Sequence, residues 1–84
     1  VTGRLTARQR QVLLLAAGGS TNGQIAARLT VSTATVNTSL RLAYRTLGAH
    51  DRAHAVAIAI WRGDISLSEL AAIAQTSSQQ QEAA

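Results

Sequence analysis

The chain contains no cysteine, proline, methionine or phenylalanine, and none of its acidic residues precedes Asp51. Without cysteine no disulfide, iron–sulfur cluster or zinc–thiolate site is available to staple it. Without proline the commonest helix breaker is missing. With a single Trp and a single Tyr, the core has to be built from Leu, Ile, Val and Ala, whose small faces let helices approach closely. Lysine is absent too, so all eight basic side chains are arginines, a usage that hints at a GC-rich bacterial genome. Long apolar runs are also lacking: the longest candidate, Ala55–Trp61, has seven residues, against ~20 for a membrane span. The start is polar and basic, unlike a secretory signal. The expectation is one small all-α domain of 84 residues, cytoplasmic and associated with the nucleoid, with no membrane partner.

The charges that are present are unevenly placed. Arg4, Arg8, Arg10, Arg28, Arg41 and Arg45 lie before position 50 and meet no acid there, giving that part +6. Arg52 and Arg62 stand against Asp51, Asp64, Glu69 and Glu82, giving the remainder −2 and the chain +4. A compact domain with an acid-free front offers a polyanion a surface without local repulsion, and nucleic acid is the obvious polyanion. A generic solvated basic face is the plainer alternative, so the motifs inside that front have to decide.

Thr6 with Gln9 three residues on forms a capping-box pattern that starts a first helix. It carries Val12, Leu13, Leu15 and Ala16 at helical spacing up to Gly18–Gly19, a stop signal. Thr21 or Ser20 starts a short second helix with Ile25, Ala26 and Leu29 on one side. Ser32 caps a long third helix, in which Val36, Leu40, Ala43 and Leu47 repeat at one buried stripe. Its other face shows Asn37, Thr38, Arg41 and Arg45, and Gly48 closes it. Asp51 caps a fourth helix with two apolar stripes, Val56/Ala59/Ile60 and His54/Ala57/Ile58/Trp61. One buried face suffices for a monomer, so the second stripe implies a partner surface. Gly63 ends this helix. Ser66 with Glu69 is a further capping box, leading through Leu67, Leu70, Ala71, Ile73 and Ala74 as a short fifth helix. The segment 77–84 has no apolar face and is expected to be disordered.

A short helix (Thr21–Leu29), a tight turn (Thr30–Val31) and a longer helix (Ser32–Leu47) with a polar, basic open side make a helix-turn-helix. In such a unit the second helix enters the major groove and its first turns reach base edges. Asn pairs with adenine, Arg with guanine O6 and N7, and a Thr methyl packs on a thymine methyl. Ser32, Thr33 and Thr35 sit where hydroxyls and helix N-terminal amides hold a phosphate.

Together, Leu5-Thr6-Ala7-Arg8 with Val12-Leu13, Gly19-Ser20-Thr21-Asn22, Ile25-Ala26-Ala27-Arg28-Leu29, Thr35-Val36, Leu47-Gly48, Arg52, Ala55-Val56, Ala59-Ile60 and Gly63-Asp64-Ile65 resemble the LuxR/GerE-type DNA-binding domain. The resemblance covers roughly Leu5–Ile65. It implies a four-helix fold whose third helix reads DNA and whose fourth helix often forms a dimer. Carried over by position, it implies base contacts from Asn37, Thr38 and Arg41. Phosphate contacts would come from Asn22, Gln24, Ser32, Thr33, Thr35 and Arg45. The family usually has acids where Gln9 and Gln11 stand, a basic residue at Asn37, a His or similar at Ser39 and a Lys at Thr46. Gln9 is expected to remove an ion pair that Arg52 would otherwise have, leaving a hydrogen bond at best.

The expected organisation is a DNA-binding domain over 1–65, a helical extension over 66–76 and a tail over 77–84. The expected function is sequence-specific transcription regulation on pseudo-palindromic double-stranded DNA, as a homodimer through His54, Ala57, Ile58 and Trp61, with RNA polymerase as a further candidate partner. Trp61 is divided between core and interface. Arg8, Arg10 and Arg28 read as general electrostatics or local structure, and Arg52 as the anchor of the fourth helix. His50 and His54 lack metal spacing, no His–carboxylate pair supports nucleophilic catalysis, and neither a metal nor another cofactor is expected. The rivals are a sigma-factor region-four-like module, which the fourth-helix pattern disfavours, and a protein-interaction module that keeps the fold without the DNA role.

Overall fold

A computed structural model describes residues 3–73 of the chain. Four helices follow one another: α1 (Ala7–Ala17), α2 (Asn22–Leu29), α3 (Thr33–Leu47) and α4 (Arg52–Arg62). A fifth helical stretch, α5 (67–73), runs to the last described residue. The expected end of the extension at 76 and the tail 77–84 lie outside the described residues. No strand occurs among the described residues, in accord with the all-α expectation.

Each helix begins on a side-chain cap read from the sequence. Thr6 and Gln9 close a reciprocal capping box on α1, and Thr21, not Ser20, does so with Gln24 on α2. Ser32 Oγ accepts from Thr35 N at 3.0 Å, and Asp51 Oδ1 from His54 N at 2.8 Å. Ser66 and Glu69 exchange bonds of 3.0 and 3.1 Å at the start of α5. Each bond satisfies an amide that the helix itself leaves without a partner.

The first four helices also end alike. A left-handed residue is followed by an amide that reaches five residues back: Ser20 to Leu15 O, Val31 to Ala26 O, Ala49 to Tyr44 O and Asp64 to Ala59 O. The left-handed residue is Gly19, Gly48 or Gly63 in three cases and Thr30, at φ 58°, in the helix-turn-helix turn. A β-branched residue resists that conformation, so the turn of greatest consequence is also the one under backbone strain.

The core is aliphatic, as the composition requires. Val12, Leu13, Leu15 and Ala16 of α1, Ile25 and Ala26 of α2, Val36, Leu40 and Leu47 of α3, Ala55 and Ala59 of α4, and Ile65 form one cluster. The expected α3 stripe, Val36, Leu40, Ala43 and Leu47, is buried in full. It packs α3 against α1, α2 and α4. In α4 the centre of the inward face is Ala55 with Ala59, and Val56 and Ile60 flank it half-buried. Ala55 was absent from the expected inward stripe, because a small residue carries little weight in an apolar pattern.

Three side-chain placements follow from the contacts. Gln9 does not serve Arg52: its Oε1 accepts from Thr6 N at 3.1 Å to complete the cap, and Arg52 turns to Asn22 instead. Ile58 does not belong wholly to the outer stripe, since it is half-buried against the core cluster. Trp61 is not a core residue, being 86% exposed.

α5 lies against α1. Arg10 donates through Nε to Asp64 O at 2.8 Å and through Nη2 to Glu69. A side chain at Gly18 would overlap Ile73, so the glycine admits the close approach of α5 to the end of α1. The hydrogen bond from Arg10, and then that from the Ser66 amide, hold the Glu69 carboxyl below its ordinary range. A depressed carboxylate stabilises the fold above its unfolded pKa and loses that effect as pH falls through the folded value. Acidification through and below the usual carboxylate range is therefore expected to loosen α5 from α1, seen as shifts of the Ser66 and Glu69 amide resonances, and Glu69→Gln to remove that pH dependence. Separately, Thr30→Asn is expected to raise stability by roughly 0.5–1 kcal/mol in urea unfolding, because Asn tolerates the left-handed cap better than Thr.

Candidate nucleic-acid interface

The burial of one α3 stripe fixes what the opposite face presents. Asn37, Thr38, Arg41 and Arg45 are all exposed on that face. Thr38, Arg41 and Arg45 line a shallow depression together with Leu42. Leu42 was missing from the sequence reading; it is 41% exposed beside Arg41. Its position one residue after a predicted base contact, off the buried stripe, was the available signal. Its apolar side chain is suited to a thymine methyl.

The expected phosphate contacts cluster where α2 and α3 begin. Ser32, Thr33 and Thr35 are exposed around the α3 N-terminus, with the Ser32 and Thr35 hydroxyls 2.9 Å apart. No acidic residue occupies the first turn of α2 or α3, so the positive ends of both helix dipoles are uncompensated. Gln24 is exposed, but its Oε1 is engaged by Thr21 N at 2.8 Å. Its amide NH2 is the group left to donate. Arg45 stands one turn beyond Arg41 on the same face.

Two predicted contacts of different kinds meet directly. Asn22 Nδ2 donates to Asn37 Oδ1 at 2.5 Å, and Arg52 Nη2 donates to Asn22 Oδ1 at 3.3 Å. Arg52 thus ties the first turn of α4 to the first turn of α2, and through it to the outer face of α3. The anchoring role read for Arg52 takes this form.

The arginines divide into two groups. Arg10 is bound to Glu69 and Asp64 O, Arg62 Nε lies 3.1 Å from Asp64 Oδ2 while its Nη2 donates to Gly3 O at 2.8 Å, and Arg52 holds Asn22. Arg4, Arg8, Arg28, Arg41 and Arg45 are exposed, and among the described residues none of them pairs with an acid. The described acids are already engaged: Asp51 in its cap, Asp64 with Arg62 and Glu69 with Arg10. The acid-free front therefore loses Arg10 to the fold but keeps the two arginines of α3.

On α4 the face turned away from the core carries Ala53, His54, Ala57 and Trp61, all exposed. Of the four residues expected at an interface, Ile58 alone packs partly inward. The His54 ring stacks on His50 with centroids 5.1 Å apart, and its Nδ1 accepts from His50 N at 3.1 Å. Ala53 extends this face by one position and was not in the sequence reading, since alanine at a helix start gives no pattern signal. No helix among the described residues is long and apolar enough to cross a membrane.

Comparison with known proteins agrees with this geometry. The chain is 50% identical over 54 residues to a probable transcriptional regulatory protein, SgaR, of Hyphomicrobium methylovorum, covering 64% of this chain and 26% of that protein. The chain thus spans about a quarter of that relative's length. No solved structure matches it. Residues 3–59 match the bacterial regulatory proteins of the luxR family. With four capped helices, a helix-turn-helix over α2 and α3, and a family match across most of its length, the chain belongs to the luxR family of bacterial regulatory proteins.

Proposed function

We propose that this domain binds double-stranded DNA sequence-specifically, as a homodimer, to regulate transcription. In this reading α3 enters the major groove and directs Asn37, Thr38 and Arg41 to base edges. Asn22, Gln24, Ser32, Thr33, Thr35 and Arg45 meet flanking phosphates. Two copies would place their α3 helices in successive major grooves roughly 34 Å apart on a pseudo-palindromic site. The reading rests chiefly on Arg41 and Arg45: both are exposed on the outer face of α3, and among the described residues neither is paired with an acid. Arginines that already hold a carboxylate would have to give it up to bind a phosphate or a guanine.

The dimer surface in this reading is the outer face of α4, with His54, Ala57 and Trp61 at its centre and Ile58 at its margin. Trp61 at 86% exposure is what supports it. An indole bears a large apolar area that gains free energy when a partner covers it. The binding domain is taken as 1–65, with 66–76 as its helical extension, and RNA polymerase as a further partner of the bound dimer.

Exposed Trp61 and Leu67 (69% exposed) also favour a second reading, in which the fold serves as a docking module for another regulator. Salt separates the two. DNA binding through phosphate contacts weakens steeply as salt rises, whereas apolar docking does not.

Arg41→Ala is expected to weaken binding by ~1–3 kcal/mol and to relax the preference at one base position. Equal losses on specific and random duplexes would instead make Arg41 a phosphate contact. Trp61→Arg is expected to give a folded monomer, its helical circular dichroism intact, that binds a two-half-site duplex much more weakly than the parent. Sedimentation identical to the parent would remove α4 as the interface.

A further inference from the structure

The polar chain Arg52–Asn22–Asn37 settles more than the position of α4. Arginine has five N–H donors and no acceptor. Whatever amide atom faces the Arg52 guanidinium must be the oxygen, so the Asn22 amide can be held in one orientation only. With Oδ1 toward Arg52, Asn22 turns its Nδ2 toward α3, and Asn37 has to answer with its own oxygen. The Asn37 Nδ2 then lies on the far side of that amide, with both hydrogens uncommitted among the described contacts.

We infer that Arg52 is a positioning residue for base readout, acting through Asn22 to fix the Asn37 amide so that it offers donors to the groove and selects a base edge of acceptors, guanine first. This rests on the reading of α3 as the helix that meets base edges. Guanine presents N7 and O6, both acceptors, at its major-groove edge. Adenine presents N7 and an N6 donor, so the two-bond Asn–adenine pair requires the asparagine oxygen as well as its nitrogen. Here that oxygen is turned to Asn22. Cytosine presents only an N4 donor and is the least suited. An unheld asparagine would turn over freely to suit either purine; Arg52 takes that freedom away.

Each of these hydrogen bonds is exposed in the free domain and worth little there. Beneath DNA the same groups lose water, and an amide facing the wrong way leaves donors opposed to donors. Orientation therefore costs little in the free protein and becomes discriminating on the duplex. Asn22 keeps its second Nδ2 hydrogen for a phosphate, so the relay and the phosphate contact are compatible.

The test is selection from random duplex DNA with the parent, Asn37→Ala, Arg52→Ala and Arg52→Lys, alongside side-chain amide NMR of the free proteins. Asn37→Ala locates the base position read by Asn37. At that position the parent is expected to enrich guanine over adenine. Arg52→Ala should shift the guanine-to-adenine ratio toward adenine by roughly fivefold or more while the rest of the motif persists. Arg52→Lys should keep the parent ratio, because an ammonium is also a pure donor. In the free protein Arg52→Ala should move the Asn22 and Asn37 side-chain NH2 resonances, with the backbone spectrum of the core unchanged. Adenine as the parent's choice, an unchanged ratio in Arg52→Ala, or unmoved Asn37 resonances would each overturn the relay and leave the DNA-binding reading standing. Absence of any enriched motif in the parent would overturn that reading, and the relay's role in readout with it.

Discussion

The structure depends on a single buried stripe, Val36, Leu40, Ala43 and Leu47 of α3, each no more than 4% exposed. This helix is core on one side and exposed, polar and basic on the other, so the same contacts that stabilise the domain also set the roll of α3 about its axis. A helix advances by about 100° per residue, and a slip of one position would turn Arg41 into the interior and a leucine outward. The free energy opposing that slip comes from aliphatic burial, at ~1.5–3 kcal/mol for each large side chain. The orientation of that exposed face is thus inherited from hydrophobic packing and needs no separate device. The α2–α3 turn then sets the angle at which this roll is presented, and it does so with Thr30 in a conformation that three glycines adopt at the other helix ends.

The electrostatics follow from the same economy of parts. The described acids serve the fold: Asp51 caps α4, Asp64 holds Arg62, and Glu69 both caps α5 and binds Arg10. They lie on α4, α5 and the link between them, while α2 and α3 carry none. Among the described residues, the exposed face of α3 accordingly keeps Arg41 and Arg45 unpaired with any acid. In the proposed role, with Asn37 and Thr46 uncharged, attraction to phosphate depends on Arg41, Arg45 and the uncompensated N-termini of α2 and α3. In that role the polar side chains between them are left to discriminate.

Much of this was legible in the sequence because the signals are local. Caps at Thr6, Ser32, Asp51 and Ser66 are short patterns with a single physical meaning, and the α3 stripe is strict enough to give both its buried and its open face. What escaped were tertiary choices among equivalent partners. Gln9 could have capped its own helix or reached Arg52, and only the fold shows that the start of α4 comes within reach of Asn22 instead. Arg10 was one of six unopposed arginines in the front of the chain, and its commitment to Glu69 depends on α5 folding back across α1. Ile58 was assigned to the outer stripe by periodicity, although it sits at the boundary between two faces, where a pattern of apolar letters has no resolution. Alanine hid the rest: Ala55 and Ala53 mark the inner and outer faces of α4, yet in the sequence they look the same.

The exposure of Trp61 has one more consequence, an optical one. It is the only tryptophan in the chain, and its indole stands in water on the outer face of α4. Its emission therefore reports on that face alone, undiluted by any indole in the core. Covering it with an apolar surface would move the emission to shorter wavelength and shield it from aqueous quenchers, whereas DNA occupying α3 would do neither unless it also drew two copies together. In the proposed dimer this intrinsic fluorophore would separate assembly from DNA contact without a label.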